Sequence, residues 1–189
     1  FAIANNEAIA DSEDPRQAFV QRIKTIHPYG MEQAAAQAAL RDGEAAYAQR
    51  LGDEAMSWAR SNPAKFARLS LWHLREYYFP SAWQWNVYAD VSTGTDLKIA
   101  LTWLLSGIGL IGALLALFVW RGAYIYVALL AVVPCLPYAI VQPILRYRYL
   151  VLLPLLFLAV EVLRRLAIPV RRWLEQRRSP MLTSSRLTD

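Results

Sequence analysis

Residues 99–120 read IALTWLLSGIGLIGALLALFVW, twenty-two positions without a charged side chain. At 1.5 Å of rise per residue, a helix of that length spans the roughly 30 Å hydrocarbon core of a bilayer. Two further apolar runs follow, Ala123–Val141 and Tyr149–Leu163. The last is short for a crossing, so it predicts either snorkelling by Arg164 and Arg165 or continuation of the helix toward Ile168. The three runs together predict an all-α, polytopic membrane protein fragment with three transmembrane helices.

Charge divides the chain at the same place. The net charge is +5, yet residues 1–98 carry ten Lys or Arg against twelve Asp or Glu, and residues 99–189 carry ten against three. Arg164, Arg165, Arg171, Arg172, Arg177 and Arg178 follow the third run, and the positive-inside rule assigns them to the cytoplasm. Counting back through three crossings puts residues 1–97 outside as an extracytoplasmic helical region, 98–168 in the cell membrane, and 169–189 inside as a basic tail. In that tail SPMLTSSRLTD reads as disordered.

Within the external region, DSEDPRQ at residues 11–17 reads as a turn or loop in a polar, irregular stretch running to Ile26. Asp11, Glu13 and Asp14 lack the ligand spacing and glycine of a calcium loop, so they predict a solvated acidic loop. MEQAAAQAALR, then EAAYAQRLGDEAMSWARS with Tyr47, Leu51, Ala55 and Trp58 in helical period, predict soluble helices. Asn62 followed by Pro63 predicts a capped helix start. Trp72, Tyr77, Tyr78, Phe79, Trp83, Trp85 and Tyr88 supply the ring density of a lipid headgroup interface, which places this helix at the membrane surface.

Signatures of soluble enzymes are missing. The chain has no phosphate-binding glycine loop, no nucleophile elbow, no paired cysteine and no zinc-binding histidine pair. His27 and His73 are too few for a histidine-built metal site and read as ordinary surface or interface residues. The single Cys135 lies in the second apolar run and reads as a core thiol. Gly107, Gly109 and Gly112 predict close helix packing, and Pro134, Pro137 and Pro154 predict kinks. No catalytic residue, metal ligand or cofactor is assigned, and no nucleic-acid partner is expected.

QPILRYRY at residues 142–149 is different in kind, because arginine beside a bilayer must reach the interface, pair with an acid or face an anion. The guanidinium forks of Arg146 and Arg148 suit phosphate oxygens, with Tyr147 or Tyr149 lining the same entrance. Ordinary lipid headgroups would satisfy these arginines equally well.

Four segments in order, ANNEAIA (4–10), HPYG (27–30), the run GEAAYAQRLGDEAMSWARSNPAKFARLSLWHLREYYFP (43–80) and RYRYLVLLPLL (146–156), carry a resemblance. Over nearly all of residues 1–168 the chain resembles the C-terminal part of glycosyltransferases of family 39, the protein O-mannosyltransferase and aminoarabinose-transferase-like group of the GT-C fold. The resemblance implies an integral membrane transferase that moves a sugar from a polyprenyl-phosphate carrier to an acceptor outside. It also implies that the catalytic carboxylates lie near the N-terminus of a longer protein, so that this chain is a fragment, inactive without the rest of the transferase. The chain departs from the family at Gln142–Leu145, where many members carry a histidine or acidic residue, so the loop is assigned no acid/base chemistry. Two other readings stand beside it: a small, non-enzymatic, membrane-anchored interaction protein, and a transporter fragment with Glu161 near the inner end of a span.

Overall fold

Asn6 begins the first helical turn by accepting a hydrogen bond from the Ile9 N–H at 3.1 Å, which supplies one of the donors a helix start leaves without an internal partner. The structure is a computed structural model that describes residues 1–28, 30–41, 43–85, 95–141 and 145–184, without the side chains at 15, 16, 34, 38 and 170–184. It is all-helical among the described residues. The helices are α1 (Glu7–Ala10), α2 (Pro15–Ile26), α3 (Gln33–Ala39), α4 (Glu44–Ser61), α5 (Pro63–Tyr78), α6 (Ala82–Trp85), α7 (Thr95–Leu115), α8 (Ala123–Val132), α9 (Leu136–Ala139) and α10 (Tyr149–Ser184). They divide between two units, one of Phe1–Ile99 with Pro134–Arg148, the other of Ala100–Val133 with Tyr149–Asp189.

In the first unit the stretch expected to be irregular up to Ile26 is helical from Pro15. The turn is real but brief: the Ser12 hydroxyl donates to the Asp14 carbonyl, and Asp14 then caps α2 by accepting from the Gln17 N–H at 3.1 Å. Ile9, Ala10 and Leu69 form a small core, joined by Ala18 and Trp58. The apolar period of α4 buries Tyr47, Ala55 and Ala59, and the Tyr47 hydroxyl donates to the carbonyl of Ile26, tying α4 to the end of α2. Asn62 does not cap α5; its amide donates back to the Trp58 carbonyl and finishes α4 instead.

The ring-rich run after Trp72 is used differently from the expected interfacial belt. Tyr77 and Tyr78 are buried inside the unit, while Trp72, Phe79, Trp83 and Trp85 are half-buried. Tyr88 lies outside the described residues. Rings this large remove most apolar area when they pack against one another, and the α5–α9 contact provides that opportunity.

The second unit packs the other way round. Its interior is made of Ser106, Gly109, Gly112, Ala113, Ala116, Ala128 and Ala131, together with Val151, Leu155, Leu158, Ala159 and Val162. Leu104, Leu114, Phe118, Leu130 and Leu153 are all more than half exposed. A Cβ on Gly109 would lie 2.7 Å from the Leu155 carbonyl oxygen, and one on Gly112 would lie 2.9 Å from both Leu158 Cβ and its carbonyl oxygen. Glycine is required at both positions for the backbones to approach.

Residues Thr95–Trp120 form 26 consecutive helical positions, the last five as a wider π turn, and contain an 18-residue stretch of mean hydropathy 2.2. Among the described residues this is the one helix long and apolar enough to cross a membrane; Ala123–Ala139 is a shorter apolar stretch. Its geometry changes at Pro134, which has no N–H to give, and α8 passes through a tight 3-10 turn at Val133–Cys135 into α9. The third apolar run opens α10, which continues unbroken through Pro154 to Ser184. The tail expected to be disordered is therefore helical to Ser184, and its remainder lies outside the described residues. So do the side chains of Arg171, Arg172, Arg177 and Arg178.

Candidate functional site

Spacing on α5 sets up the site. His73, Glu76 and Tyr77 stand at i, i+3 and i+4, so they share one helix face, and all three are fully buried. His73, expected at a surface or interface, directs Nδ1 at the Ala139 carbonyl at 3.1 Å. The next carbonyl, of Ile140, accepts from the Asn5 amide at 2.7 Å, and the same amide donates to the Phe1 carbonyl. Helix ends leave carbonyls without internal partners, and here two buried side chains take up the pair at the end of α9. Burial holds the His73 pKa below its ordinary value against the opposing pull of the Ala139 bond and the Glu76 charge.

Glu76 closes the α5–α6 turn. Its carboxylate accepts from the Ser81 hydroxyl at 2.6 Å, the Ser81 N–H at 3.0 Å, the Gln84 amide at 2.7 Å and the Arg75 guanidinium at 3.1 Å. A buried carboxylate survives only with such compensation, and this one has four donors.

From that platform α5 reaches the arginine–tyrosine stretch, whose residues Leu145–Arg148 form a 3-10 turn. The Tyr77 hydroxyl donates to the Tyr147 carbonyl at 3.1 Å, and Arg148 Nη2 donates to the Tyr78 carbonyl at 3.0 Å. Three rings stack in sequence: Tyr77 on Tyr138 with centroids 5.1 Å apart, then Tyr138 on Tyr147 at 5.0 Å. Arg146 ends the stack, its guanidinium carbon 5.2 Å from the Tyr147 ring centre and its Nη2 donating to the Tyr147 hydroxyl at 3.3 Å.

The two arginines of the sequence pattern thus separate. Arg146 is exposed; Arg148 is only 8% exposed and is turned inward. Burial lowers the Arg148 pKa to about 10, which leaves it cationic at neutral pH. The Tyr77 phenol is pushed up to about 12 by burial, and Tyr78 is raised by the same cause. Tyr149 starts α10 and is 73% exposed, and it belongs to the other unit. Gln142, Pro143 and Ile144, where the family resemblance departs, lie outside the described residues. Asn5 and Tyr77 fall in segments quoted above for other reasons, and none of Asn5, His73, Tyr77 and Tyr138 was marked as organising this site. The only sequence signal was the i, i+3, i+4 spacing of His73, Glu76 and Tyr77.

Of the expected acidic loop, Asp11 pairs with Lys65 of α5 at 2.6 Å, Lys65 also reaches Glu7 at 3.2 Å, and Asp14 caps α2. These bonds raise the Lys65 pKa. Among the described residues no three His, Cys, Asp or Glu side chains gather as a metal site.

In the second unit Glu161 is buried among Arg164, Arg165 and the Tyr124 hydroxyl, with 2.6 Å between Arg165 Nε and its carboxylate. Arg165 also lies 4.4 Å above the Trp120 ring. That cluster pairs the one acidic residue of the third apolar run with two arginines and a tyrosine hydroxyl.

Comparison of the chain with protein-family models, with curated proteins and with solved structures finds no match.

Proposed function

We propose that this chain is part of an integral membrane glycosyltransferase that moves a sugar from a polyprenyl-phosphate carrier to an acceptor on the outer side of the membrane. The observation that carries the reading is Arg146, an exposed guanidinium seated on the Tyr77–Tyr138–Tyr147 stack. In sequence it lies between two apolar segments. A cation fixed over a ring keeps its outward N–H groups directed, and phosphate oxygens are their natural acceptors. Arg146 and Tyr147 make the phosphate contact, and Arg148 is a positioning residue that holds the turn through the Tyr78 carbonyl.

Three membrane crossings are part of the proposal. Small residues inside and large apolar ones outside is the packing expected where lipid, not water, surrounds the helices. Only 28% of the apolar window of Thr95–Trp120 is buried, unlike the core helix of a water-soluble protein. Residues 1–97 then face the exterior, and the arginines after Leu163 face the cytoplasm. The catalytic carboxylates come from residues outside this chain.

The test is binding of a polyprenyl phosphate to the chain in lipid nanodiscs. Arg146→Ala should weaken it by about tenfold or more, the loss of a charge-assisted hydrogen bond. Equal affinity for the Arg146→Ala chain, or for the unphosphorylated polyprenol, would sink the proposal.

A further inference from the structure

A cavity of about 430 Å³ lies between α1 and α5 in the first unit, lined by none of the residues of the proposed carrier site. We infer that it binds a neutral sugar ring, with Trp72 as the stacking platform and Asp11 and Arg68 as the hydroxyl-binding pair. The site is independent of the transferase reading, since a saccharide is recognised there whether or not the chain transfers one.

Its volume falls at the small end of ligand cavities, which run from about 300 to 1,000 Å³. Ile9 and Leu69 form a buried apolar floor, and the half-buried Trp72 indole forms a wall. Asp11 and Arg68 stand at the rim with side chains 47% and 66% exposed. Arg68 donates through Nη2 to the Ala10 carbonyl, which fixes the plane of the guanidinium while leaving it further N–H donors. Asp11 takes Lys65 on Oδ2, and its Oδ1 is 3.8 Å from Arg68 Nη2. A fixed carboxylate beside a fixed guanidinium offers acceptor and donor together, which is what adjacent hydroxyls on one ring require.

Charge decides between a sugar and a phosphate. Lys65 and Arg68 are balanced by Glu7 and Asp11, so the rim carries no net positive charge, and an anion entering it would meet the Asp11 carboxylate. A purely apolar ligand would cover these charges without giving them hydrogen bonds. A pyranose has an apolar C–H face for the indole and hydroxyls around its edge, and so satisfies both halves of the lining.

The experiment is saturation-transfer NMR on the full chain in detergent micelles. The probes are the methyl glycosides of glucose, mannose and galactose at millimolar concentration, with inorganic phosphate as competitor. At least one glycoside should bind with its ring C–H protons saturated, and phosphate should not displace it. Trp72→Ala should weaken binding about tenfold, the loss of one aromatic contact. Trp72→Phe, which keeps a ring and most of the packing, should retain most of the affinity, and Asp11→Asn should lower it without altering the helical circular dichroism. Binding of none of the glycosides, binding unchanged in Trp72→Ala and Asp11→Asn, or displacement by phosphate would each overturn the assignment.

Discussion

In the unit that contains α5, the fully buried side chains include Asn5, His73, Glu76 and Tyr77; the unit of α8 and α10 instead closes over Ser106, Gly109, Gly112 and a series of alanines. Each large polar group in the first unit holds a backbone or side-chain group that would otherwise be buried without a partner. In the second, glycines and alanines let the backbones come close against Leu155 and Leu158, while Leu104, Leu114, Phe118, Leu130 and Leu153 point out. The first unit is specified mainly by hydrogen bonds and the second, apart from the Glu161 cluster, by shape, and that contrast fits one set of helices folded in water and another in lipid.

The contrast breaks most visibly at Glu76. Glu76→Ala strands the Ser81 N–H and the Gln84 amide and should destabilise the chain by about 3 kcal/mol. Thermal unfolding in mild detergent reads this, and a loss well under 1 kcal/mol would mean that the network is incidental. Glycine supplies the next comparison. Gly112→Leu forces a side chain into Leu158 and should cost about 1–3 kcal/mol, whereas Gly52→Ala on α4, where a Cβ meets nothing within 4 Å, should stabilise by about 0.5–1 kcal/mol. Equal effects at the two positions would remove the distinction by shape.

In the first unit a pH dependence comes from His73. His73 is held neutral, with Nδ1–H given to Ala139 and no acceptor at Nε2 among the described residues. Because its folded pKa lies below the ordinary 6.5, the unfolded chain binds more protons beneath that value. Stability should therefore fall as the pH drops through 6.5 and level off below the folded pKa, with a slope no steeper than about 1.4 kcal/mol per pH unit. His73→Gln should flatten that part of the profile in a pH series of melting temperatures. Smaller still is Tyr77→Phe, which removes the bond to the Tyr147 carbonyl and should cost about 1 kcal/mol, with weaker polyprenyl-phosphate binding if the stack positions Arg146.

How much of this the sequence revealed follows from the same contrast. The apolar runs, the small-residue face at Gly109 and Gly112, and the change at Pro134 were legible because length, residue size and a missing N–H act locally. The helix at Pro15–Ile26 was hidden by the turn residues that cap it, since Ser12 and Asp14 read as a loop until the Gln17 N–H is seen to use Asp14. Arg146 and Arg148 looked equivalent in the pattern, and only the position of the Tyr78 carbonyl, seventy residues earlier in the chain, separates an exposed cation from a buried one. For His73 the spacing with Glu76 and Tyr77 was the one signal, and its partner stayed hidden because a backbone carbonyl is something any sequence could supply.

The direct test of two environments is cysteine accessibility in intact membrane vesicles, with Cys135 replaced by serine and single cysteines placed at Met56, Leu114 and Leu153. These residues are 43%, 57% and 73% exposed, so the structure alone would let reagent reach all three. If lipid surrounds the second unit, a membrane-impermeant maleimide labels Met56→Cys from outside, and Leu114→Cys and Leu153→Cys react only after detergent solubilisation. Labelling of Leu114→Cys and Leu153→Cys as fast as Met56→Cys in intact vesicles would contradict the account.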